Sequence, residues 1–169
     1  MKKNLTLTGM MGVGKSTIGQ AISKQLLMEF VDIDKIIEKK VKLTIPRIFE
    51  QKGEFFFRKL EEKVTLKEIK KNNIIVSLGG GAFMNKKIRE YVLSNTKSFW
   101  LNINVDLLAK RLGNSKKRPL LKNKDIKSTL EKIYNERRNT YALANYKIDC
   151  NSLNTELIVK KIVKLYENN

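Results

Sequence analysis

The chain has 169 residues, of which 41% are hydrophobic and 31% charged. That length and balance suit one soluble globular domain with a substantial core. Basic residues outnumber acidic ones 35 to 17, for a formal net charge of +18, with the lysines spread along the whole chain. A spread charge of this sign draws in anionic small substrates, and nucleic acid is not the expected partner. A single cysteine, Cys150, excludes an internal disulfide and any cysteine-rich metal site, and no apolar run has the length of a bilayer. Thr6, Thr8 and Gly9 interrupt any signal-peptide core, so the expected location is the cytoplasm, without membrane attachment.

Residues 5–8 read as a short strand that runs into a glycine loop, and residues 15–28 as a helix with Ile18, Ala21, Ile22 and Leu26 on one face. A second strand covers residues 30–33, followed by helical patterns at 34–42, 46–52 and 54–71. Residues 74–78 form a buried-type strand that ends in Gly79, Gly80 and Gly81. A helix at 85–94, a strand at 98–103 and a helix at 105–112 lead into a polar stretch from 113 to 124. A helix at 126–144, a strand at 147–149 and a helix at 154–167 complete the chain. Short apolar strands that alternate with helices predict an α/β fold, a parallel sheet covered on both faces. In such sheets ligands bind at the carboxyl ends of the strands, which here means residues 9–17, 32–34 and 79–81.

The segment Gly9-Met10-Met11-Gly12-Val13-Gly14-Lys15-Ser16 has the G-x-x-x-x-G-K-[ST] spacing, between an expected strand and an expected helix. Its backbone N–H groups and the helix N-terminus suit phosphate, Lys15 can reach the β- and γ-phosphates, and Ser16 can ligate Mg²⁺. The positions expected to hold ATP phosphates are Met11, Gly12, Val13, Gly14, Lys15, Ser16 and Thr17. A switch GTPase needs N-K-x-D, and both near matches, at Asn85 and at Asn123, carry isoleucine in the last place. A mechanical ATPase has a strand ending in acid, whereas the strand at 74–78 ends in glycine. A small kinase remains, and the residues for its acceptor are visible. Asp32 and Asp34 flank Ile33, and in an extended segment they share one face, where one could serve Mg²⁺ and the other could accept a hydroxyl proton. Asp34 could instead cap the next helix. Arg58 and Glu61 share a helical face, with Phe55, Phe56 and Phe57 expected in the core beneath them. The planar fork of Arg58 suits a carboxylate, and the three glycines suit close backbone approach to a ligand. Arg118 lies in the polar stretch, which could close over phosphates as a mobile lid.

In order and spacing this set resembles the shikimate kinase family over nearly all of the chain. The matching stretches are 9–17, 31–34, Gly53-Glu54 with Phe57, Arg58 and Glu61, the glycines at 79–81, Arg118-Pro119-Leu120-Leu121, and Arg137 with Tyr141. The resemblance implies a P-loop, nucleoside monophosphate kinase-like fold of three αβα layers, with a five-stranded parallel sheet in the order 2-3-1-4-5. It implies phosphorylation of shikimate at its 3-hydroxyl by ATP with Mg²⁺, on the route to chorismate and the aromatic amino acids. One domain spans residues 1–169, with a lid near 113–124, a substrate-binding region near 33–61 and a monomeric state expected. By this resemblance Asp34 binds shikimate hydroxyls and serves as base or orienting group for the attacking 3-hydroxyl, Arg58 and Arg137 hold the carboxylate, and Gly79, Gly80 and Gly81 line the substrate. Lys15 and Arg118 act on the transferred phosphoryl group, Arg111 stacks on adenine, and Asp32 holds Mg²⁺ through water beside Ser16. Four of the seven arginines therefore fall on site positions in a lysine-rich chain. Two departures stand out: Asn139-Thr140 replaces a usual proline before Tyr141, and the adenine-side loop reads Cys150-Asn151-Ser152-Leu153 without proline or arginine.

Overall fold

The computed structural model describes residues 3–113, 125–152 and 154–168. Strands β1 (Asn4–Thr8), β2 (Glu29–Asp32), β3 (Ile74–Ser77), β4 (Thr96–Asn102) and β5 (Tyr146–Asp149) form one parallel sheet in the order β2-β3-β1-β4-β5. The helices described are α1 (Lys15–Leu26), α2 (Ile33–Val41), α3 (Ile45–Glu68), α4 (Lys86–Asn95), α5 (Val105–Leu112), α6 (Ile126–Tyr141) and α7 (Thr155–Glu167). A 3₁₀ turn covers Ala82–Met84. The expected strand order and strand–helix alternation are both present.

The central strands are buried along nearly their whole length. Leu5, Thr6, Leu7 and Thr8 of β1 and all four residues of β3 are out of solvent, so both faces of the sheet are covered. Register then decides where the loops meet. Leu7 pairs with Ser77 and with Phe99, and Ser77 also pairs with Asp32. The carboxyl ends of β1, β2 and β3 are thereby level, and the chain segments that follow them open onto the same edge.

Several boundaries differ from the sequence reading for local reasons. α1 stops at Leu26 because Leu27 turns left-handed, at φ 53. β4 starts at Thr96 rather than 98, since Thr96 and Lys97 pair with Asn4 and Leu5. The expected helices on either side of residue 53 run end to end as α3, broken only at Gly53, where φ is 80 and ψ is 165. That backbone conformation belongs to glycine. α6 runs unbroken to Tyr141 through Asn139 and Thr140, which, unlike proline, can donate backbone N–H groups.

Two expectations need correction. Asp34 is not in an extended segment: α2 begins at Ile33, and Asp32 rather than Asp34 is its N-cap, accepting from Lys35 N at 3.2 Å. Of the three phenylalanines only Phe57 enters the core, while Phe55 is 74% exposed and Phe56 is exposed as well. Three consecutive residues on a helix point in directions about 100° apart, so they cannot share one buried face.

Candidate active site

The loop between β1 and α1 is shaped by close packing. A Cβ on Gly9 would stand 2.5 Å from the Leu101 carbonyl oxygen, and one on Gly12 would stand 2.6 Å from Leu112 Cδ2. Gly14, left-handed at φ 104, is the N-cap of α1, and no side chain caps that helix. Its first turn therefore keeps backbone donors for an anion. Lys15 is buried, and its Nζ donates to the Gly9 and Met10 carbonyls at 2.9 and 3.0 Å, folding it back across the loop. Met11 and Val13 are buried, whereas Thr17 is exposed in the first turn of α1.

Ser16 Oγ donates to Asp32 Oδ2 at 2.6 Å, joining the P-loop helix to the end of β2. Among the described residues, no cluster of three or more acidic, histidine or cysteine side chains could hold a metal ion. Two hard oxygen donors beside a phosphate loop fit a cation that keeps most of its ligands as phosphate oxygens and water, which is the habit of Mg²⁺.

Beside this pair lies a cavity of about 360 Å³. Ser16, Asp32, Asp34, Arg58, Gly80 and Arg137 are on its wall, drawn from α1, β2, α2, α3, the segment after β3, and α6. Arg58 carries its positive charge over Phe57 and Phe49, with ring centroids 5.1 and 5.9 Å away. Its Nη1 donates to Glu61 Oε2 at 2.8 Å, and Nε and Nη2 donate to Glu54 Oε1 at 3.2 and 3.1 Å. The two acids differ: the Glu54 side chain is 55% exposed and that of Glu61 only 3%. Burial pushes the Glu61 pKa up, with Arg58 opposing and Asp34 adding to the rise. Burial also works to lower the Arg58 pKa, but its two glutamates outweigh that and raise it. Arg58 is therefore a fixed cation, anchored on a buried carboxylate and fringed by an exchangeable one.

The glycines after β3 let these side chains pack close against the backbone. A Cβ on Gly79 would lie 2.5 Å from Glu61 Oε1 and 2.8 Å from Asp34 Oδ1. One on Gly81 would lie 2.6 Å from Arg58 Nη1, and one on Gly80 would lie 3.2 Å from Met11 N. Arg137 reaches the same place from α6, with Nη1 donating to the Gly80 carbonyl at 3.1 Å.

The sequence-derived residues Asp34, Arg58, Gly79, Gly80, Gly81 and Arg137 thus converge, next to Ser16 and Asp32. Arg111 is apart from them, exposed in the last turn of α5, the helix whose Leu112 packs on Gly12. In the adenine-side segment Cys150 is buried, and burial, then Asp149, pushes its thiol up to about 11. Arg118 and the proposed lid from 114 to 124 lie outside the described residues, as does Leu153. Sequence reasoning missed Glu38, Ile45, Pro46 and Phe49, which also line the cavity. Their apolar members follow helical spacing, a signal that marks core and cavity wall alike.

A phosphate loop that opens directly onto an arginine- and carboxylate-lined acceptor cavity is the arrangement of a P-loop kinase for small molecules. The comparisons with known proteins narrow the class. The shikimate kinase family profile matches residues 11–167. A shikimate kinase of Sulfurihydrogenibium sp. is 40% identical over 161 residues, 95% of this chain and 96% of that protein. One from Bartonella quintana is 37% identical over 167 residues, 99% of this chain and 80% of its own length. The solved structure of the Acinetobacter baumannii shikimate kinase in complex with shikimate superposes with a TM-score of 0.95 at 33% identity, covering 99% of this chain and 94% of that one. This chain belongs to the shikimate kinase family.

Proposed function

We propose that this chain transfers the γ-phosphoryl group of ATP to the 3-hydroxyl of shikimate, giving shikimate 3-phosphate and ADP on the route to chorismate. The observation that carries the reading is the single cavity in which Asp34, Arg58, Gly80 and Arg137 stand beside the Ser16–Asp32 pair. Shikimate is a carboxylate with three hydroxyls, and the cavity wall carries two arginines and an aspartate.

Arg58 and Arg137 hold the carboxylate, with Glu54 yielding its place on Arg58, and the Gly80 and Gly81 backbone closes on the ring. Asp34 accepts hydrogen bonds from the hydroxyls and takes the proton of the attacking 3-hydroxyl. That oxygen forms the new bond to the γ-phosphorus while the bond to the β-phosphate oxygen breaks and its electron pair leaves with ADP. Lys15 and the N-terminus of α1 meet the phosphate charge, Arg118 approaches from the lid, and Arg111 stacks on adenine. Ser16, and Asp32 through water, would hold Mg²⁺, which would supply charge neutralisation for the β- and γ-phosphates. Most of the acceleration on this scheme comes from alignment and charge stabilisation. No described helix is long and apolar enough to cross a membrane.

A coupled ADP-release assay against shikimate, gluconate and nucleoside monophosphates tests the reading. The expected result is Mg²⁺-dependent turnover with shikimate alone. Turnover with another acceptor and none with shikimate would overturn it.

A further inference from the structure

Three glycines in a row have more conformational freedom than any other tripeptide, yet residues 79–81 must keep one shape to serve as a binding wall. Two turns hold the ends: Gly79 O accepts from Ala82 N and Gly81 O from Met84 N, both at 3.0 Å. The middle carbonyl, Gly80 O, is held from outside the segment. Arg137 Nη1 donates to it at 3.1 Å, and the Tyr141 hydroxyl donates to the same oxygen. The two side chains are four residues apart and so rise from one face of α6.

They differ in what else they face. Arg137 is on the cavity wall, whereas Tyr141 is not among the described residues that line it. Tyr141 is fully buried, and its ring stacks on Trp100 of β4 with centroids 6.0 Å apart. Burial pushes its phenol pKa up, so the hydroxyl stays protonated and remains a donor at working pH. A peptide unit is planar, so holding the Gly80 carbonyl also sets the direction of the Gly81 N–H in the same plane.

We propose that Tyr141 is a positioning residue for the acceptor: its hydroxyl fixes the Gly80–Gly81 peptide so that the Gly81 N–H is presented to the substrate carboxylate, a role resting on the shikimate kinase reading above. Arg137 faces both Gly80 and the substrate, whereas Tyr141, off the cavity wall, faces Gly80 and the Arg137 side chain. When Arg137 adjusts to an arriving carboxylate, Tyr141 keeps the glycine wall in place. The backbone donor is then ready before binding and loses no freedom on binding.

The test is Tyr141→Phe, which keeps the ring on Trp100 and removes one hydroxyl. Losing one net hydrogen bond in the binding wall raises the shikimate KM about fivefold and leaves the ATP KM within about twofold. A hydroxyl that only stabilises the fold would lower the melting temperature and leave both KM values at wild type, and that result would overturn the proposal. Should the phenylalanine variant not fold, p-aminophenylalanine at position 141 keeps the ring and returns a weaker N–H donor. A shikimate KM between the wild-type value and about five times it is then expected, with the ATP KM unmoved, and an equal rise in both KM values would overturn the proposal. A wild-type chain that fails to phosphorylate shikimate would instead overturn the functional reading and this inference with it. Wild-type turnover combined with an unchanged Tyr141→Phe KM would overturn the inference alone.

Discussion

The nucleotide end and the acceptor end of the cavity are built in opposite ways. At the nucleotide end, nine consecutive residues make a loop, a helix start and a lysine, and Lys15 bonds to carbonyls only five and six positions away. At the acceptor end, Asp34, Arg58, Gly80 and Arg137 come from separate elements, and Arg137 meets Gly80 across 57 positions of sequence. The first is a local structure that many enzymes could share. The second exists only when the sheet and helices are assembled, and it is the part that names a substrate. Damage at the first end should reduce chemistry with any acceptor, whereas damage at the second should separate shikimate from ATP.

The largest effect is expected at the nucleotide end. On the proposed mechanism Lys15→Met removes a cation that meets the phosphate charge and should lower kcat by about 10²–10³-fold, by analogy with removing one fixed transition-state donor. Single-turnover kinetics check it, and retention of a tenth or more of wild-type kcat would place the decisive charge elsewhere. At the acceptor end, Arg58→Lys keeps the charge but loses the planar fork. Charge-assisted bonds of this kind correspond to roughly 10–100-fold in binding, so the shikimate KM should rise by that factor with little change for ATP. Equal losses for both ligands in steady-state assays would erase the division between the two ends.

A smaller effect comes from the buried anchor of Arg58. Glu61 has a folded-state pKa raised above its ordinary value of 4.5, mainly by burial. Between the ordinary and the raised value the folded chain binds more protons than the unfolded one, so stability falls as pH rises through that window. This contribution is whole below the ordinary glutamate value and is lost above the raised one. Glu61→Gln should therefore flatten the decline in melting temperature from about pH 4.5 towards neutrality. Thermal melts of both proteins across that range check it, and parallel curves would exclude Glu61 as the source. The smallest effect is expected at Phe55, which lies under the Lys59 ammonium, 4.4 Å from its ring centroid. For an exposed contact of this kind Phe55→Ala should change stability by only about 0.5–1 kcal/mol, with both KM values intact. Chemical denaturation measures it, and a loss of core size would mean that Phe55 packs inward after all.

The contrast also sets what could be read in advance. Strand–helix alternation was legible because short apolar runs between helices must bury both faces of a sheet, whereas the strand order came only through the family resemblance. The helix break at Gly53 was legible as the gap between two helical patterns. Asp34 was expected among the residues that meet at the cavity, where it stands, but its conformation was not legible, because cap choice depends on which carboxylate the Lys35 amide reaches. The burial of Phe57 and the exposure of Phe55 were not separated, since three adjacent apolar residues give no phase. Glu38 and Phe49 gave no chemical signal, since a cavity wall is chosen by what stands opposite it.

By itself the sequence determined the phosphate loop, the parallel fold and, through the spacing of its arginines and glycines, the family. Those features depend on local backbone chemistry and on a pattern of burial. Tertiary structure alone decided that Asp34 and Glu61 press on the same glycine, and that Tyr141 reaches the Gly80 carbonyl. Each is a contact between distant segments, set by strand register and helix packing, and no single stretch of the chain carries either.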